Sequence, residues 1–223
     1  MAKLTHTPII LLCIWMNLCT VCAKAQSRND DDRTFRAGLT LGTNFTQVDG
    51  DNFAGYYKVG INGAAVVYAK LADQIMGGLE MSFTQKGARA AGAQVPQLGN
   101  DLSTVLTEYK INLNYLEVPV TINYFDQKEN NFGLGIAYGQ LIGSKETYRD
   151  GSGTLYENDA KLFPFRKMDV NIVANTSIHI WKGLAVNIRY AYSMMSIRNA
   201  RNFITGRAQQ YNNLWTTRLI YTF

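Results

Sequence analysis

Cysteine and histidine are scarce in this chain of 223 residues. All three cysteines, Cys13, Cys19 and Cys22, and one of the two histidines lie within the first 25 residues. If that segment is removed, no thiol or disulfide remains and His179 is the single histidine. The rest of the chain has no Ser-His-carboxylate spacing and no cluster of metal ligands. The sequence therefore predicts no enzyme, no metal and no cofactor, with His179 a structural residue near a turn.

Long apolar runs are also lacking, since no stretch reaches the roughly 18 residues that a membrane-spanning helix needs. The apolar run 8–22 is shorter than this and follows the basic Lys3. It precedes Ala23-Lys24-Ala25, a small-x-small cleavage site. Residues 1–25 are therefore predicted to be a cleaved export signal. A lipoprotein signal at Cys22 is a minor alternative.

Charge of one sign is not in large excess. The full chain carries +5, and removing Lys3 and Lys24 with the signal leaves 20 basic against 17 acidic residues, or +3. Such a weak balance does not indicate nucleic-acid binding. Residues 26–33 are polar and predict a disordered lead-in. Residues 34–223 are enough for one domain.

Alternation of apolar and polar residues is what the domain does have. Eight segments show it with a period of two, as expected for β-strands. In the fourth, the apolar positions shift from odd to even numbers, which predicts a β-bulge near Tyr115 and Leu116, just before Pro119. The predicted strands are 34–48, 57–69, 75–86, 108–125, 132–143, 166–180, 184–197 and 211–223.

The connections between these strands alternate in length. Short links and long loops on opposite sides are typical of an outer-membrane barrel, with short turns and both termini periplasmic. A soluble sandwich or lipocalin-like barrel is the alternative, because periodicity alone does not say which face is outward. The sequence predicts an all-β, eight-stranded antiparallel up-and-down transmembrane β-barrel in the bacterial outer membrane. The short links are 70–74, 126–131 and 181–183, and the long loops are 49–56, 87–107, 144–165 and 198–210.

The last predicted strand runs to the final residue of the sequence, Phe223. A bulky, exposed terminal strand would be an aggregation hazard in a soluble protein, whereas a closed barrel leaves no edge. We expect it to pair with the first strand and to serve in insertion by the barrel-assembly machinery, through Trp215, Tyr221 and Phe223. The residues expected to face lipid are Phe35, Leu39, Leu41, Trp215, Leu219, Tyr221 and Phe223.

Charged residues on the faces opposite the bulky ones predict an ion network inside the barrel. Counting strands around an eight-membered ring places Glu80 opposite Arg189 and Glu117 opposite Arg218. Inner glycines leave room for these side chains, which would plug the lumen. The predicted network is Arg36, Glu80, Glu117, Arg189 and Arg218, and the same face assigns Lys58, Lys110, Asn112, Asn114, Asp169 and Asn171 to the lumen.

Loops 87–107 and 144–165 are longer than closure of a barrel needs. Long loops in a compact domain are usually functional or disordered. We expect them to contact outer-membrane lipid, anionic glycolipid or a protein partner; mobile, solvated loops are the alternative. The predicted contact residues are Tyr148, Tyr156, Phe163, Phe165, Arg198, Arg201 and Arg207.

Four stretches, 38–45, 78–89, 115–120 and 133–139, resemble the PorT-type outer-membrane β-barrel proteins of Bacteroidetes. Among them are Gly78-Leu79-Glu80-Met81-Ser82-Phe83 and Tyr115-Leu116-Glu117-Val118-Pro119-Val120. The resemblance implies an outer-membrane barrel. Because the family takes its name from a factor for type IX protein secretion, an accessory role in such secretion is the alternative to a structural or binding role. A small-solute pore is disfavoured, because eight strands leave an interior that side chains fill.

Overall fold

The computed structural model describes residues 34–51, 55–91, 106–150, 152–158, 164–198 and 209–223. The predicted export signal and lead-in lie outside this part of the chain. Residues Phe35–Phe223 form one compact unit. No helix in the described ranges is long and apolar enough to span a membrane. The strands are β1 Phe35–Asp49, β2 Lys58–Lys70, β3 Ile75–Lys86, β4 Arg89–Ala91, β5 Leu106–Phe125, β6 Asn131–Asp150, β7 Leu155–Glu157, β8 Met168–Trp181, β9 Leu184–Ser193 and β10 Tyr211–Thr222.

The eight long strands form a closed antiparallel ring. Its order is β1-β2-β3-β5-β6-β8-β9-β10, and β10 returns to pair with β1. That closing register runs from Gly38 opposite Thr222 to Asp49 opposite Tyr211. The predicted all-β, eight-stranded fold, with its first and last long strands paired, is therefore confirmed. We call the end with the short links the short-turn end and the other the long-loop end.

The β5–β6 hairpin is longer than predicted, with 20 residues in each strand. At about 3.3 Å per residue each strand measures roughly 66 Å, whereas about 9–11 residues cross a membrane. The short strands β4 and β7 pair with β5 and β6 on either side of the hairpin. We call the four-stranded part at the long-loop end, residues 89–91, 106–115, 141–150 and 155–157, the projecting sheet.

A β-bulge does lie at the predicted level, between Asn114 and Tyr115 in the pairing of β5 with β6, but its extra residue is in β6 and the predicted change of phase in β5 is wrong. The register of β3 with β5 is the same from Ile75–Tyr124 to Lys86–Leu113, so β5 keeps one phase over this range. Asn114 and Tyr115 pair with Gly143 and Leu141, which leaves Ile142 of β6 as the extra residue; a second shift in the same ladder lies between Leu106 and Glu108. The apolar positions of β5 change number parity because its inner face becomes apolar near the long-loop end, not because the strand turns over.

A consequence of this single phase is that three residues assigned to the lumen point away from it. Tyr109, Ile111, Leu113 and Tyr115 are fully buried inside, and Leu116 begins an exposed outer row. The lumen assignments of Lys110, Asn112 and Asn114, which alternate with the buried residues, are therefore wrong.

The outer surface of the ring is apolar, the inverse of a soluble barrel. All seven residues expected to face lipid are exposed on this surface, and their exposed fractions range from 73% for Leu41 to 45% for Trp215. Many others line the same surface, and the opposite, inner positions are largely polar and buried. This band of apolar side chains fits a lipid environment.

Hydrogen bonds at the short-turn end fix the connection between β5 and β6. Asp126 Oδ1 accepts bonds from the backbone N–H groups of Lys128 and Asn130, both at 2.8 Å. The Asn130 side chain donates to Asp126 Oδ2 at 2.9 Å, and this bond is the main reason that the pKa of Asp126 lies below its usual value. The link is thus a defined turn.

Candidate functional site

Glu80 holds two arginines at the centre of the lumen. Arg218 donates from Nη1 to Glu80 Oε2 at 2.8 Å and from Nη2 to Oε1 at 3.0 Å. Arg189 also contacts both carboxylate oxygens, with Nη1 3.1 Å from Oε2. Glu80 is 3% exposed and Arg218 2%. The paired, parallel bonds are a strong form of ion pair, and this Glu80 triad carries a net charge of +1.

A second buried triad lies nearer the long-loop end. The Lys86 ammonium is 2.6 Å from Glu117 Oε1 and 3.0 Å from Asp169 Oδ2. It also donates to Asn171 Oδ1 at 3.0 Å. This Lys86 triad carries a net charge of −1, which offsets the +1 of the Glu80 triad.

Arg189 thus meets the partner expected for it, whereas the expected pairing of Glu117 with Arg218 is wrong. Arg218 binds Glu80, and Glu117 binds Lys86, a residue that the predicted network does not include. The physical reason is the stagger of tilted strands, which a count around the ring does not contain. Lys86 could have been found, since it follows Glu80 by six residues and so shares its face of β3.

Arg36 stands apart from both triads, contrary to the predicted network. It lies at the rim of the short-turn end, where Nη1 is 3.0 Å from Glu129 Oε1, and both side chains are partly exposed. His179 lies at the same end, with Nε2 against the carbonyl oxygen of Lys182. Among the described residues no group of His, Cys, Asp and Glu could hold a metal ion.

Amide and hydroxyl side chains join the Glu80 triad to the lumen wall. Arg218 Nε donates to Asn187 Oδ1 at 2.8 Å, and Asn187 Nδ2 donates to Ser177 Oγ at 2.8 Å. Asn187 also reaches Asn175 at 3.4 Å. The interior is therefore a connected polar network, which is costly to leave half-satisfied and rigid when complete.

Two glycines on β6 make room for these contacts. Gly139 lies opposite both Glu117 and Asp169, and an added Cβ would lie 3.2 Å from Glu117 Oε1. A Cβ at Gly133 would collide with the Asn123 side chain. The inner glycines thus allow long polar side chains to meet inside a narrow ring.

An apolar cluster lies inside the barrel at the long-loop end. Segments flanking all four long connections contribute to it, so we call it the cap. Its buried members are Val48, Ala88, Ala90, Tyr109, Ile111, Leu113, Tyr115, Phe165 and Ile197.

A buried ion pair lies within the cap. Arg198 donates to Glu146 at 3.2 and 2.8 Å, and Tyr109 donates its hydroxyl to the same carboxylate. The Arg198 guanidinium lies 3.7 Å from the centre of the Phe165 ring, a cation–π contact. These contacts bind segments from three long connections to one another.

The predicted loop-contact residues divide into three groups. Arg198 and Phe165 are buried in the cap, so the prediction that they form an exposed surface is wrong, because Glu146 offers Arg198 an internal partner. Tyr148 is partly buried against the cap and stacks on the exposed Tyr156, with ring centres 5.2 Å apart. The remaining three, Phe163, Arg201 and Arg207, lie outside the described residues.

A closed ring of antiparallel strands with an apolar outer surface and an ion-paired interior defines a transmembrane β-barrel. The chain belongs to the family of the outer membrane protein beta-barrel domain, whose sequence profile matches residues 24–199. It is therefore a bacterial outer-membrane barrel. None of the curated proteins compared with the chain matches it.

Several solved structures of bacterial barrels are similar to the chain. Ail, the attachment invasion locus protein of Yersinia pestis, crystallised with a heparin analogue, is 12% identical with a TM-score of 0.47, covering 86% of this chain and 100% of Ail. Neisserial surface protein A is 9% identical with a TM-score of 0.48, covering 86% and 98%. The outer membrane protease OmpT from Escherichia coli is 11% identical with a TM-score of 0.38, covering 89% and 99%. At this distance they carry no argument about function.

Proposed function

We propose that this chain is a non-conducting outer-membrane barrel that acts as a structural or binding protein through its long-loop end. The observation that supports this most directly is the series of buried side chains inside the barrel. The Glu80 triad, the Lys86 triad and the cap follow one another along the axis of the barrel. Buried charges that satisfy one another leave little space or charge for a permeating solute, which disfavours a small-solute pore.

Conductance in planar bilayers tests this closure. The purified protein should give no large, stable single-channel currents under conditions in which a porin does. A control variant, Glu129→Gln, changes a charge at the short-turn rim outside the plug and should also be silent. Large, stable currents from the wild-type protein would refute the proposal.

The long-loop end is suited to contact because its base is rigid. The cap fixes the roots of the four long connections, and the projecting sheet extends beyond the apolar band. A binding surface that is ordered before contact loses less conformational entropy on binding. The proposal places this end outside the cell and the short-turn end in the periplasm.

A protease site inserted at Gly153 tests the orientation. Gly153 is exposed, and an added Cβ there meets nothing within 4 Å. Protease added to intact cells should cleave this variant. A matched insertion at Asp73, in the short link after β2, should resist cleavage until the cells are opened. Cleavage of the second variant alone would invert the topology.

Catalysis and secretion have less support than binding. The single histidine of residues 26–223 lies at the short-turn end, far from where an extracellular substrate would arrive. A role in type IX-like secretion, and membership of the PorT-type group, rest on the resemblance of stretches such as 78–89. The secretome of a deletion strain discriminates the two functions: loss of secreted proteins would favour the secretion role, and an unchanged secretome would favour binding.

A further inference from the structure

The projecting sheet has two different faces. Its inner face supplies Tyr109, Ile111 and Leu113 to the cap. Its outward face begins where the apolar band ends, and directly opposed residues of antiparallel strands share that face. The charged residues of the outward face are Arg89, Glu108, Lys110, Lys145, Arg149 and Glu157.

Positive charge exceeds negative charge on this face. It has four cationic side chains and two carboxylates, a net charge of +2 among the described residues. Glu108 lies 3.1 Å from Arg89 and 3.8 Å from Arg149, and Glu157 lies 2.8 Å from Lys145. None of the carboxylates that the structure describes forms an ion pair with Lys110. Its neighbour across the strand pair is another cation, Arg89.

The cations lie just beyond the lipid-facing surface. Residues 116–125 of β5 present the exposed apolar row that starts at Leu116, and ten residues suffice to span a membrane. Lys145 lies opposite Asn112, four residues past Leu116, or about 13 Å along the strand. In the structure the Lys145 ammonium contacts Glu157, which pairs with Thr147 and so lies farther from the apolar row. A lysine stem is flexible and can bring the ammonium to the headgroup level when lipid is bound.

We propose that this outward face binds the phosphorylated sugar headgroup of an anionic glycolipid in the adjoining outer leaflet. The inference rests on the proposed function, because it places the long-loop end outside the cell. Phosphate oxygens match clustered lysine and arginine donors. A lipid is favoured over a soluble anion because the cations continue upward from the surface that the acyl chains already contact.

The test is an isothermal calorimetric titration, in which lipid A micelles are added to the full-length mature protein in a zwitterionic detergent. Lys110 and Lys145 are changed together, to Gln in one variant and to Arg in a matched control. We expect the Gln variant to bind lipid A about thirtyfold more weakly, corresponding to about 1 kcal/mol for each lysine near an anionic surface. The Arg variant keeps the charge and should bind within about threefold of wild type.

Three further arms separate the alternatives. Lipid A binding should weaken as the salt concentration is raised, since the ion pairs between the outward face and the lipid phosphates are exposed to solvent. Inorganic phosphate should give no comparable heat; equal affinity for phosphate would refute a lipid site. Equal lipid A affinity of the Gln variant and wild type would refute the proposal outright, as would capture of an acidic protein by this face in preference to lipid A. The titration does not depend on closure of the lumen, so its failure is distinct from detection of a conducting barrel.

Discussion

Glu80 should be among the most costly single charges to remove from the barrel. Its carboxylate serves two arginines, so Glu80→Gln keeps the shape but leaves Arg189 and Arg218 buried without a counter-charge. Removing one partner of a buried ion pair costs about 3–5 kcal/mol. Arg189→Met leaves Glu80 with both bonds from Arg218, and should cost only about 1.5–3 kcal/mol.

Combining the changes sharpens the test. The double variant combines Glu80→Gln with Arg189→Met, so it removes the carboxylate together with one of the two arginines that would be left without a counter-charge. Its loss of stability should therefore be smaller than the sum of the two single losses by about 1–3 kcal/mol. The triple variant, with Arg218→Met added, removes every charge of the triad and should recover most of the lost stability.

The free energy of unfolding is measured by urea titration of the folded barrel in detergent, with Trp fluorescence and heat-modifiable gel migration as probes. Glu129→Gln is the matched control, because its pair with Arg36 is partly exposed and should contribute about 0–1 kcal/mol. A cost for Glu80→Gln no larger than that of this control, or a triple variant less stable than Glu80→Gln alone, would refute the stabilising role of the Glu80 triad.

Three further changes test packing, closure and a turn. Gly133→Ala should lower the unfolding free energy by about 1–3 kcal/mol because its Cβ would collide with Asn123, whereas Gly63→Ala, whose Cβ meets its nearest atom at 3.7 Å, should be nearly neutral; equal losses would contradict this. Deleting Phe223 removes the bond from its N–H to Ala37 and an apolar outer side chain, so outer-membrane levels and heat-modifiable migration should fall; normal values would count against a role in assembly. Asp126 should titrate by NMR with a pKa below 3.8. The stability that its carboxylate contributes is present above the pKa of the unfolded chain and is lost as the pH falls through the lowered pKa of the folded protein. Asn130→Ala should raise the folded-state pKa of Asp126, and an unchanged pKa would show that the bond from Asn130 does not lower it.

Period-two patterning and the alternation of loop lengths were sufficient for the ring. They identified eight strands, the pairing of β1 with β10 and the outward position of residues such as Leu41 and Trp215. These properties are local, because the two faces of a strand and the length of a turn are both determined by consecutive residues.

The interior was harder to predict, because it depends on distances between strands. Which charged residues meet depends on the stagger of the strands, so counting strands around the ring pairs Arg218 with Glu117, whereas in the structure Arg218 binds Glu80. The inner face of β5 changes from polar at Glu117 to apolar at Tyr115 without any change of phase, and periodicity alone cannot distinguish that from a bulge. The short strands β4 and β7, with three residues each, fall below the length at which alternation is informative.

The closing seam between β1 and β10 is held from the inside as well as by its own ladder. Glu80 belongs to β3, on one side of the seam, and both of its arginines belong to β9 and β10, on the other. A lateral opening would therefore have to separate these charges while they are still shielded from water. During biogenesis the same geometry delays neutralisation of Glu80 by Arg218 until the last strand arrives. Once formed, the contact between Glu80 and Arg218 disfavours a lateral opening between β1 and β10 through which lipid or polypeptide would leave the barrel.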